Sequence, residues 1–383
     1  MPLHFTPDEF SAGRAALQHS LQQAGLDGLL MFRQASMYYL TGYDKLGYVF
    51  FQCLYFGADG DLFLLTRTPD LLQAQLTSDI QEIHIWVDGD GANPAGDLTK
   101  LLQGRKLQGK KLGVEYDAYG LTAQNGMRLQ AALDGFCTLS DASMLVTRLR
   151  LVKSAAELAY VRRAAELADD ALDEAHRLAK PGADEGEILA AMQGAVFKGG
   201  GDYPGNEFII GSGPQALLVR YAASRRKLDP QDQLTLEFAG VYRHYHACLM
   251  RTIVIGTAPQ RQKDMHKAAT GAMQACIDAI RPGRTFGEVF AAHAKAMDGA
   301  GFADARLNAC GYSLGTTFSP NWMDWPMLYR DNPVELRPGI VLFLHMILVD
   351  GATRLAMNPG QTVIVTERGC DVLSRHSLDL VVR

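Results

Sequence analysis

The sequence lacks an excess of positive charge, a long apolar run and a closely spaced pair of cysteines. Its formal net charge is −5, whereas a nucleic-acid-binding domain usually carries a clustered basic surface, so we predict that the chain binds no nucleic acid. No apolar run reaches the roughly 20 residues that cross a bilayer, and residues 1–10 lack the basic and apolar regions of a signal peptide. We therefore expect a cytoplasmic protein that does not enter a membrane.

The six cysteines are scattered along the chain without a C-x-x-C pair. This spacing argues against a zinc knuckle or a disulfide framework and is typical of reduced thiols. The cysteines are Cys53, Cys137, Cys248, Cys276, Cys310 and Cys370.

The chain is long enough for two domains. Its 383 residues, with 48% hydrophobic and 21% charged content, can form two domains that each bury a core.

The order of predicted elements divides the chain near residue 150. Short apolar strands alternate with helical segments over residues 1–150, which favours an α/β domain with a mixed sheet. Ser154 and Glu157 have the spacing of a capping box and predict the start of a long helix. More helices and a strand-rich end follow, so we expect an α+β second domain over residues 151–383.

Residues 234–252 concentrate ionisable side chains within two apolar segments. We predict that these segments are strands joined by a turn at Gly240. Glu237 interrupts the first segment, where a buried charge is costly unless it is paired or functional. His244 and His246 are two residues apart, which places both on one face if they share a strand. The cluster could bind a metal, act as acid, base or nucleophile without one, or have no chemical role.

Short motifs along the whole chain follow a characteristic order and spacing. They are Tyr39-Leu-Thr-Gly-Tyr43, Arg150-Leu-Val-Lys-Ser-Ala-Ala-Glu157, Ile210-Gly-Ser-Gly213, residues 237–252, Gly311-Tyr-Ser-Leu-Gly315, Leu336-Arg-Pro-Gly339 and Thr362-Val-Ile-Val-Thr366. In this they resemble the family of creatinase and the Xaa-Pro peptidases. The resemblance implies a small N-terminal α/β domain, a C-terminal pita-bread domain in which two helix pairs back a curved antiparallel sheet, and a homodimer.

The metal ligands of that family are not retained here. Its peptidases hold two divalent metals through two Asp, one His and two Glu, a hard, oxygen-rich set. The matching positions hold Glu237, Cys248, Tyr312, His345 and Gly360. Because Tyr312 and Gly360 leave too few donors, we predict no dinuclear metal centre and no other cofactor, while a single metal on Glu237, Cys248 and His345 stays an alternative.

Creatinase is a precedent for metal-free cleavage of a carbon–nitrogen bond on this scaffold. Its catalytic histidine precedes the central hairpin, where this chain has Arg220, so that mechanism does not transfer directly. Other motifs are similar to those of the ectoine hydrolases, members that open a cyclic amidine. These motifs are residues 237–240, 243–247, 311–315, 320–322 and 343–345.

Four residues are the predicted catalytic set. Glu237 would act as general base or nucleophile, His246 and His345 would carry protons to the leaving nitrogen, and Tyr312 would donate a hydrogen bond to a developing oxyanion. The predicted substrate-binding residues are Arg220, which would hold a carboxylate, His244, Trp322, which would wall the pocket, and Cys248.

The sequence therefore predicts a hydrolase that cleaves a carbon–nitrogen bond of a small amino-acid-like substrate without a dinuclear metal centre. A cyclic amidine, an amide or a guanidino compound would fit. One alternative is a metal-dependent Xaa-Pro dipeptidase. Another is a catalytically inactive protein that binds small molecules on the same fold.

Overall fold

The structure is a computed structural model that describes residues 2–44, 47–221, 223 and 225–383. The chain separates into two compact units, Met1–Arg150 and Leu151–Arg383. Among the described residues, none of the helices combines the length and the apolar character needed to cross a bilayer.

The first unit is built on a six-stranded mixed sheet. Its strands are β1 (Gly28–Met31), β2 (Cys53–Gly57), β3 (Leu62–Arg67), β4 (Ile83–Trp86), β5 (Lys111–Val114) and β6 (Thr138–Asp141), in the order β4-β3-β2-β1-β5-β6. Its helices are α1 (Pro7–Ala24), α2 (Gln34–Thr41), α3 (Leu71–Thr77), α4 (Pro94–Gly104), α5 (Ala123–Leu133) and α6 (Met144–Leu149). Separate apolar cores pack around this sheet, which confirms the predicted α/β class.

The second unit combines helix pairs with a large, mainly antiparallel sheet. The helices are α7 (Ala155–Leu178), α8 (Glu185–Lys198), α9 (Gln260–Ala279) and α10 (Phe286–Gly299). The strands are β7 (Ile209–Ser212), β8 (Asp232–Tyr242), β9 (Tyr245–Ile255), β10 (Ala309–Ser313), β11 (Asp324–Tyr329), β12 (Val341–His345), β13 (Leu348–Asp350), β14 (Leu355–Met357), β15 (Gly360–Val365), β16 (Cys370–Val372) and β17 (Val381–Val382). The main sheet runs β11-β10-β12-β15-β9-β8-β7, so the predicted fold class is confirmed.

Local capping starts the long helix of this unit as predicted. The Ser154 side chain accepts a hydrogen bond from the Glu157 amide, while the Glu157 carboxylate accepts one from the Ser154 amide. The tertiary structure then uses the same residue again, because Tyr245 donates a hydrogen bond of 2.7 Å to the other carboxylate oxygen of Glu157. This contact ties the start of α7 to the start of β9.

The predicted turn at Gly240 is wrong, because Gly240 lies inside β8. A Cβ atom at this position would be 1.9 Å from the Ala164 carbonyl oxygen and 2.4 Å from the Ala168 nitrogen, both in α7. Glycine therefore lets the helix approach the strand. The turn is formed instead by Arg243 and His244, whose φ angles are 50° and 64°. These positive φ angles are those of a two-residue hairpin turn in which both central residues are in the left-handed region.

The two faces of the main sheet have different roles. Leu342, Leu344 and Val363 belong to an apolar core that also contains residues of α9 and α10. Because side chains alternate along a strand, the neighbouring positions point to the opposite face. Glu237, Cys248, Tyr312, His345 and Gly360 all lie at such positions in the observed register.

Candidate active site

The centre of the site is a row of three hydrogen-bonded side chains, one from β8 and two from the region around β10 that lies 75 or more positions further along the sequence. Tyr312, on β10, donates to Glu237 Oε1, on β8, over 3.2 Å. The indole Nε1 of Trp322 donates to the Tyr312 hydroxyl oxygen over 2.9 Å. An indole N–H can only donate, so it occupies the tyrosine oxygen and leaves the hydroxyl hydrogen for Glu237.

The carboxyl group of Glu237 is held in an environment that favours its protonated form. Glu237 is 9% exposed, and burial raises its pKa to about 7. The hydrogen bond from Tyr312 and the positive charge of Arg220 act in the opposite direction, because both stabilise the carboxylate. A carboxyl group that titrates near neutral pH can both accept and return a proton.

His345 lies beside this chain at the end of β12. Its ring centroid is 5.6 Å from that of Tyr312, and its buried Nδ1 has no hydrogen-bond partner among the described residues. Burial lowers the pKa of His345 to about 4, so its imidazole is neutral near pH 7. The structure therefore brings together Glu237, Tyr312 and His345.

Trp322 was expected to wall a pocket, but the structure gives it another contact. The side chain is 2% exposed and its N–H is used by Tyr312. The sequence offers no signal for this contact. A tryptophan in a loop rich in proline and aromatic residues could equally well line a pocket at the surface.

Cys248 occupies the same sheet face but is not activated as a nucleophile. It is fully buried, and burial raises the pKa of its thiol well above the usual range, with a further contribution from the negative charge of Glu237. Its backbone N–H and carbonyl both bind the Thr362 hydroxyl, at 2.8 and 2.9 Å. A thiol that stays protonated is a poor nucleophile.

His246 and His244 are separate from the Glu237 chain. His246 is buried on β9, and its Nε2 accepts a hydrogen bond of 2.8 Å from the Gly205 backbone N–H. Its Nδ1 lies 3.3 Å from the Thr317 hydroxyl oxygen. His244 is not on the strand as expected but in the hairpin turn, where its ring stacks on Phe318 with centroids 4.3 Å apart.

A cleft of about 380 Å³ opens beside the site. Ile209, which pairs with Glu237 in the sheet register, is part of its lining. Arg220 also lines the cleft and is exposed, so it is available to a ligand. The other lining residues are Gln193, Tyr203, Pro204, Gly205, Asn206, Glu207, Phe208, Ser319 and Pro320.

The cleft residues from 203 to 207 had no place in the sequence prediction. The Gly199-Gly-Gly run before them indicates a loop, but it does not indicate what the loop faces. In the folded protein the segment lies against the end of the hairpin, because Asp202 Oδ2 accepts the His244 backbone N–H over 3.3 Å and Gly205 binds His246.

The five positions that correspond to family metal ligands do not fit a dinuclear centre. Tyr312 uses its hydroxyl hydrogen on Glu237, and Gly360 has no side chain. A Cβ at position 360 would lie 2.9 Å from Phe343 Cζ and 3.0 Å from Met250 Cβ, so the space of a ligand side chain is filled by apolar atoms. Within the described part of the chain, no three His, Cys, Asp or Glu side chains are grouped for one metal ion.

Comparison with known proteins assigns both units. The pattern of the creatinase/prolidase N-terminal domain matches residues 14–152, and that of metallopeptidase family M24 matches residues 159–367. An uncharacterized hydrolase/peptidase, y4tM, of Sinorhizobium fredii is 28% identical over 100% of this chain and 99% of its own length. The ectoine hydrolase of Halomonas elongata is 25% identical over 100% of this chain and 99% of its own length.

A solved structure shows the same fold over the full chain. The prolidase from Thermococcus sibiricus superposes with a TM-score of 0.89 at 19% identity, covering 99% of this chain and 100% of that one. The M24 pattern alone covers more than half of the 383 residues. The chain belongs to metallopeptidase family M24.

Proposed function

We propose that this protein is a hydrolase that cleaves a carbon–nitrogen bond of a small, amino-acid-like substrate without a dinuclear metal centre. The observation that carries the proposal is the hydrogen bond from Tyr312 to Glu237. It links two positions at which the family's peptidases hold metal ligands, and it leaves a buried carboxyl group with a pKa of about 7.

Glu237 is the proposed general base. Tyr312 holds Oε1, so Oε2 is the oxygen offered to a water molecule. The carboxylate would take a proton from this water while the water oxygen attacks the substrate carbon. When the carbon–nitrogen bond breaks, the protonated carboxyl group would return the proton to the leaving nitrogen. Direct attack of the carboxylate on the carbon is the other route open to the same residue.

His345 is the proposed second group for proton transfer. Its Nδ1 is buried and not engaged by a described residue, so it can exchange a hydrogen bond with a substrate nitrogen. Its low pKa keeps the ring neutral near pH 7, so a proton that it receives during the reaction is passed on to the leaving nitrogen and not retained. Tyr312 completes the set by holding Glu237 Oε1 with its only hydroxyl hydrogen, so it orients the base and is not free to donate to the developing oxyanion as the sequence predicts.

The cleft supports a small and charged substrate. Arg220 can bind a carboxylate through two parallel hydrogen bonds, and Glu207, which is also exposed, can pair with a cationic group. Tyr203 is 80% exposed at the rim and offers an aromatic face to a cation. The name of the ectoine hydrolase relative supports the cyclic amidine ectoine as the first compound to test.

The test combines metal removal with a substrate comparison. Protein is treated with a chelator, its residual metal is measured, and it is then assayed with ectoine, creatine and an Ala-Pro dipeptide, with and without added Mn²⁺ or Zn²⁺. We expect turnover of an amidine, amide or guanidino compound by the metal-free protein. Glu237→Gln should lose this activity, because an amide cannot act as the base.

Each of the other results identifies a different function. Activity that disappears with the metal and returns with Mn²⁺, together with proline release from the dipeptide, would show a metal-dependent Xaa-Pro dipeptidase and overturn the proposal. Ligand binding without turnover, unchanged in Glu237→Gln, would show a binding protein. A homodimer in the cytoplasm is part of the proposal and is tested by light scattering and cell fractionation.

A further inference from the structure

His246 connects the two segments that form the walls of the cleft. One wall contains residues 203–209 and the other contains Ser319 and Pro320. The imidazole accepts the Gly205 backbone N–H on Nε2, 2.8 Å away. Its Nδ1 meets the hydroxyl of Thr317, 3.3 Å away, in the segment that leads into the second wall.

The chemistry of these partners determines the tautomer of the ring. A backbone amide can only donate, so Nε2 must carry the lone pair. In a neutral imidazole the hydrogen is then on Nδ1, where it can be donated to the Thr317 hydroxyl oxygen. Both ring nitrogens are therefore engaged, and neither is left for a substrate.

The surroundings of the ring keep this arrangement in place. His246 is fully buried, and burial, together with the nearby His244 ring, lowers its pKa to about 3, although backbone hydrogen bonds with His244 and Gly315 and the charge of Asp324 act in the opposite direction. The backbone of the segment that leads into the second wall is attached to the same residue, because the His246 N–H donates to the Gly315 carbonyl over 3.3 Å. The Gly205 side is tightly packed as well, since a Cβ there would lie 2.8 Å from the Asn321 carbonyl oxygen.

We propose that His246 is a positioning residue that holds the two walls of the substrate cleft together, and that it does not transfer protons to the substrate. The inference rests on the proposed function in one respect, since it takes the cleft as the substrate site. It leaves Glu237 and His345 as the groups that exchange protons.

The first test needs no substitution and no substrate. The ¹⁵N shifts of the His246 ring, measured by long-range ¹H–¹⁵N correlation between about pH 5 and 8, should show a neutral ring with its hydrogen on Nδ1 throughout. A ring that titrates within this range, or that carries its hydrogen on Nε2, would overturn the proposal because neither state can accept the Gly205 N–H.

The second test uses three variants and hydrogen exchange of the peptide that contains Gly205. Gln can place an amide oxygen near the Nε2 position and accept the Gly205 N–H, whereas Ala cannot. We expect exchange at Gly205 to be about tenfold faster in His246→Ala, the factor for loss of one hydrogen bond, and close to wild type in His246→Gln. Thr317→Val removes only the hydroxyl group that contacts His246 Nδ1. This variant can be measured in place of His246→Ala if His246→Ala does not fold.

The same variants separate positioning from proton transfer once a substrate is known. Positioning predicts that KM rises in His246→Ala and Thr317→Val with kcat changed less, and that His246→Gln recovers most of kcat/KM. If His246→Gln loses as much kcat as His246→Ala while Gly205 stays protected, His246 transfers protons and the inference is wrong. If no substrate is turned over, the proposed function fails, but exchange and ring shifts still decide the role of His246.

His293 provides a matched control. It is also a buried histidine, with Nδ1 lacking a hydrogen-bond partner in the described residues, but it lies on α10, away from the cleft lining. His293→Gln should leave exchange at Gly205 unchanged. A comparable increase in this variant would mean that the cleft wall responds to general destabilisation and would overturn a specific role for His246.

Discussion

Replacing Tyr312 by phenylalanine tests how the carboxyl group of Glu237 is kept near its working range. The substitution keeps the ring that packs against Phe343 and His345 and removes only the hydroxyl. Glu237 Oε1 then loses its donor, while burial continues to oppose ionisation. The pKa of Glu237 should therefore rise above its value of about 7.

The size of this shift follows from the hydrogen bond that is lost. A hydrogen bond to a charged group contributes ~1.5–3 kcal/mol, and one pKa unit corresponds to about 1.4 kcal/mol. We therefore expect a rise of about one to two units. Arg220 lowers the pKa of Glu237 in both proteins, so its contribution cancels from the shift.

The assay is the pH dependence of kcat/KM, supported by the carboxyl ¹³C shift of Glu237 across the same range. The acid limb of the profile reports the free enzyme and should move to higher pH in Tyr312→Phe. Trp322→Phe should move it in the same direction by less, because Tyr312 keeps its hydroxyl but loses the donor that orients it. Tyr329→Phe, at a residue that is 47% exposed, is the matched control and should leave the limb in place.

The free energy of unfolding gives an independent measure of the same hydrogen bonds. Tyr312→Phe leaves the buried Trp322 N–H without its acceptor, at a cost of ~1–3 kcal/mol. The double variant Tyr312→Phe/Trp322→Phe removes donor and acceptor together, so it should be less destabilised than the sum of the single changes. An unchanged acid limb in Tyr312→Phe, or strictly additive changes in the free energy of unfolding, would refute the proposed hydrogen bonds from Trp322 to Tyr312 and from Tyr312 to Glu237.

The remaining predictions concern the charge of Glu237, two glycines and Cys248. Burial shifts the pKa of Glu237 from 4.5 to about 7, so the unfolded chain releases this proton at lower pH than the folded protein does. The free energy of unfolding should therefore fall as the pH rises between these values, by on the order of 3 kcal/mol. The melting temperature of Glu237→Gln should exceed that of wild type by more at pH 8 than at pH 5, and a constant difference would contradict this. Gly240→Ala should destabilise by ~1–3 kcal/mol or more in denaturant titrations, because its Cβ would overlap Ala164 of α7. Gly194→Ala, on α8 with no atom within 4 Å of the added Cβ, should instead stabilise by ~0.5–1 kcal/mol; equal effects would refute the packing argument. Because burial raises the pKa of the Cys248 thiol, iodoacetamide should leave Cys248 unmodified in the folded protein and label it after unfolding, as read by peptide mass spectrometry; rapid labelling with loss of activity would indicate a nucleophilic role.

Local signals in the sequence were enough for the broad architecture. The capping box at Ser154 needs a partner only three residues away and forms as its spacing predicts, and Thr285 and Glu288 form a second one with the same spacing. Alternating strands and helices indicated the α/β unit for a similar reason, since periodicity is a property of short segments. The unusual position of Glu237 in an apolar strand was also visible, because the cost of burying a charge depends on the residue type and its neighbours.

Tertiary contacts decide which partners the candidate site residues have. Gly240 has the same local appearance as a turn glycine, and only the approach of α7 shows why it lies inside a strand. The bonds from Tyr312 to Glu237 and from Gly205 to His246 join residues 75 and 41 positions apart. Local pattern therefore identifies most of the elements, the family resemblance and the unusual carboxyl group of Glu237, although it misplaces the turn of the central hairpin. The contacts of His246 with Gly205 and of Trp322 with Tyr312, on which the proposed roles rest, depend on which hydrogen-bonding groups the folded sheet and loops bring within about 3 Å of one another, and no short stretch of sequence contains that information.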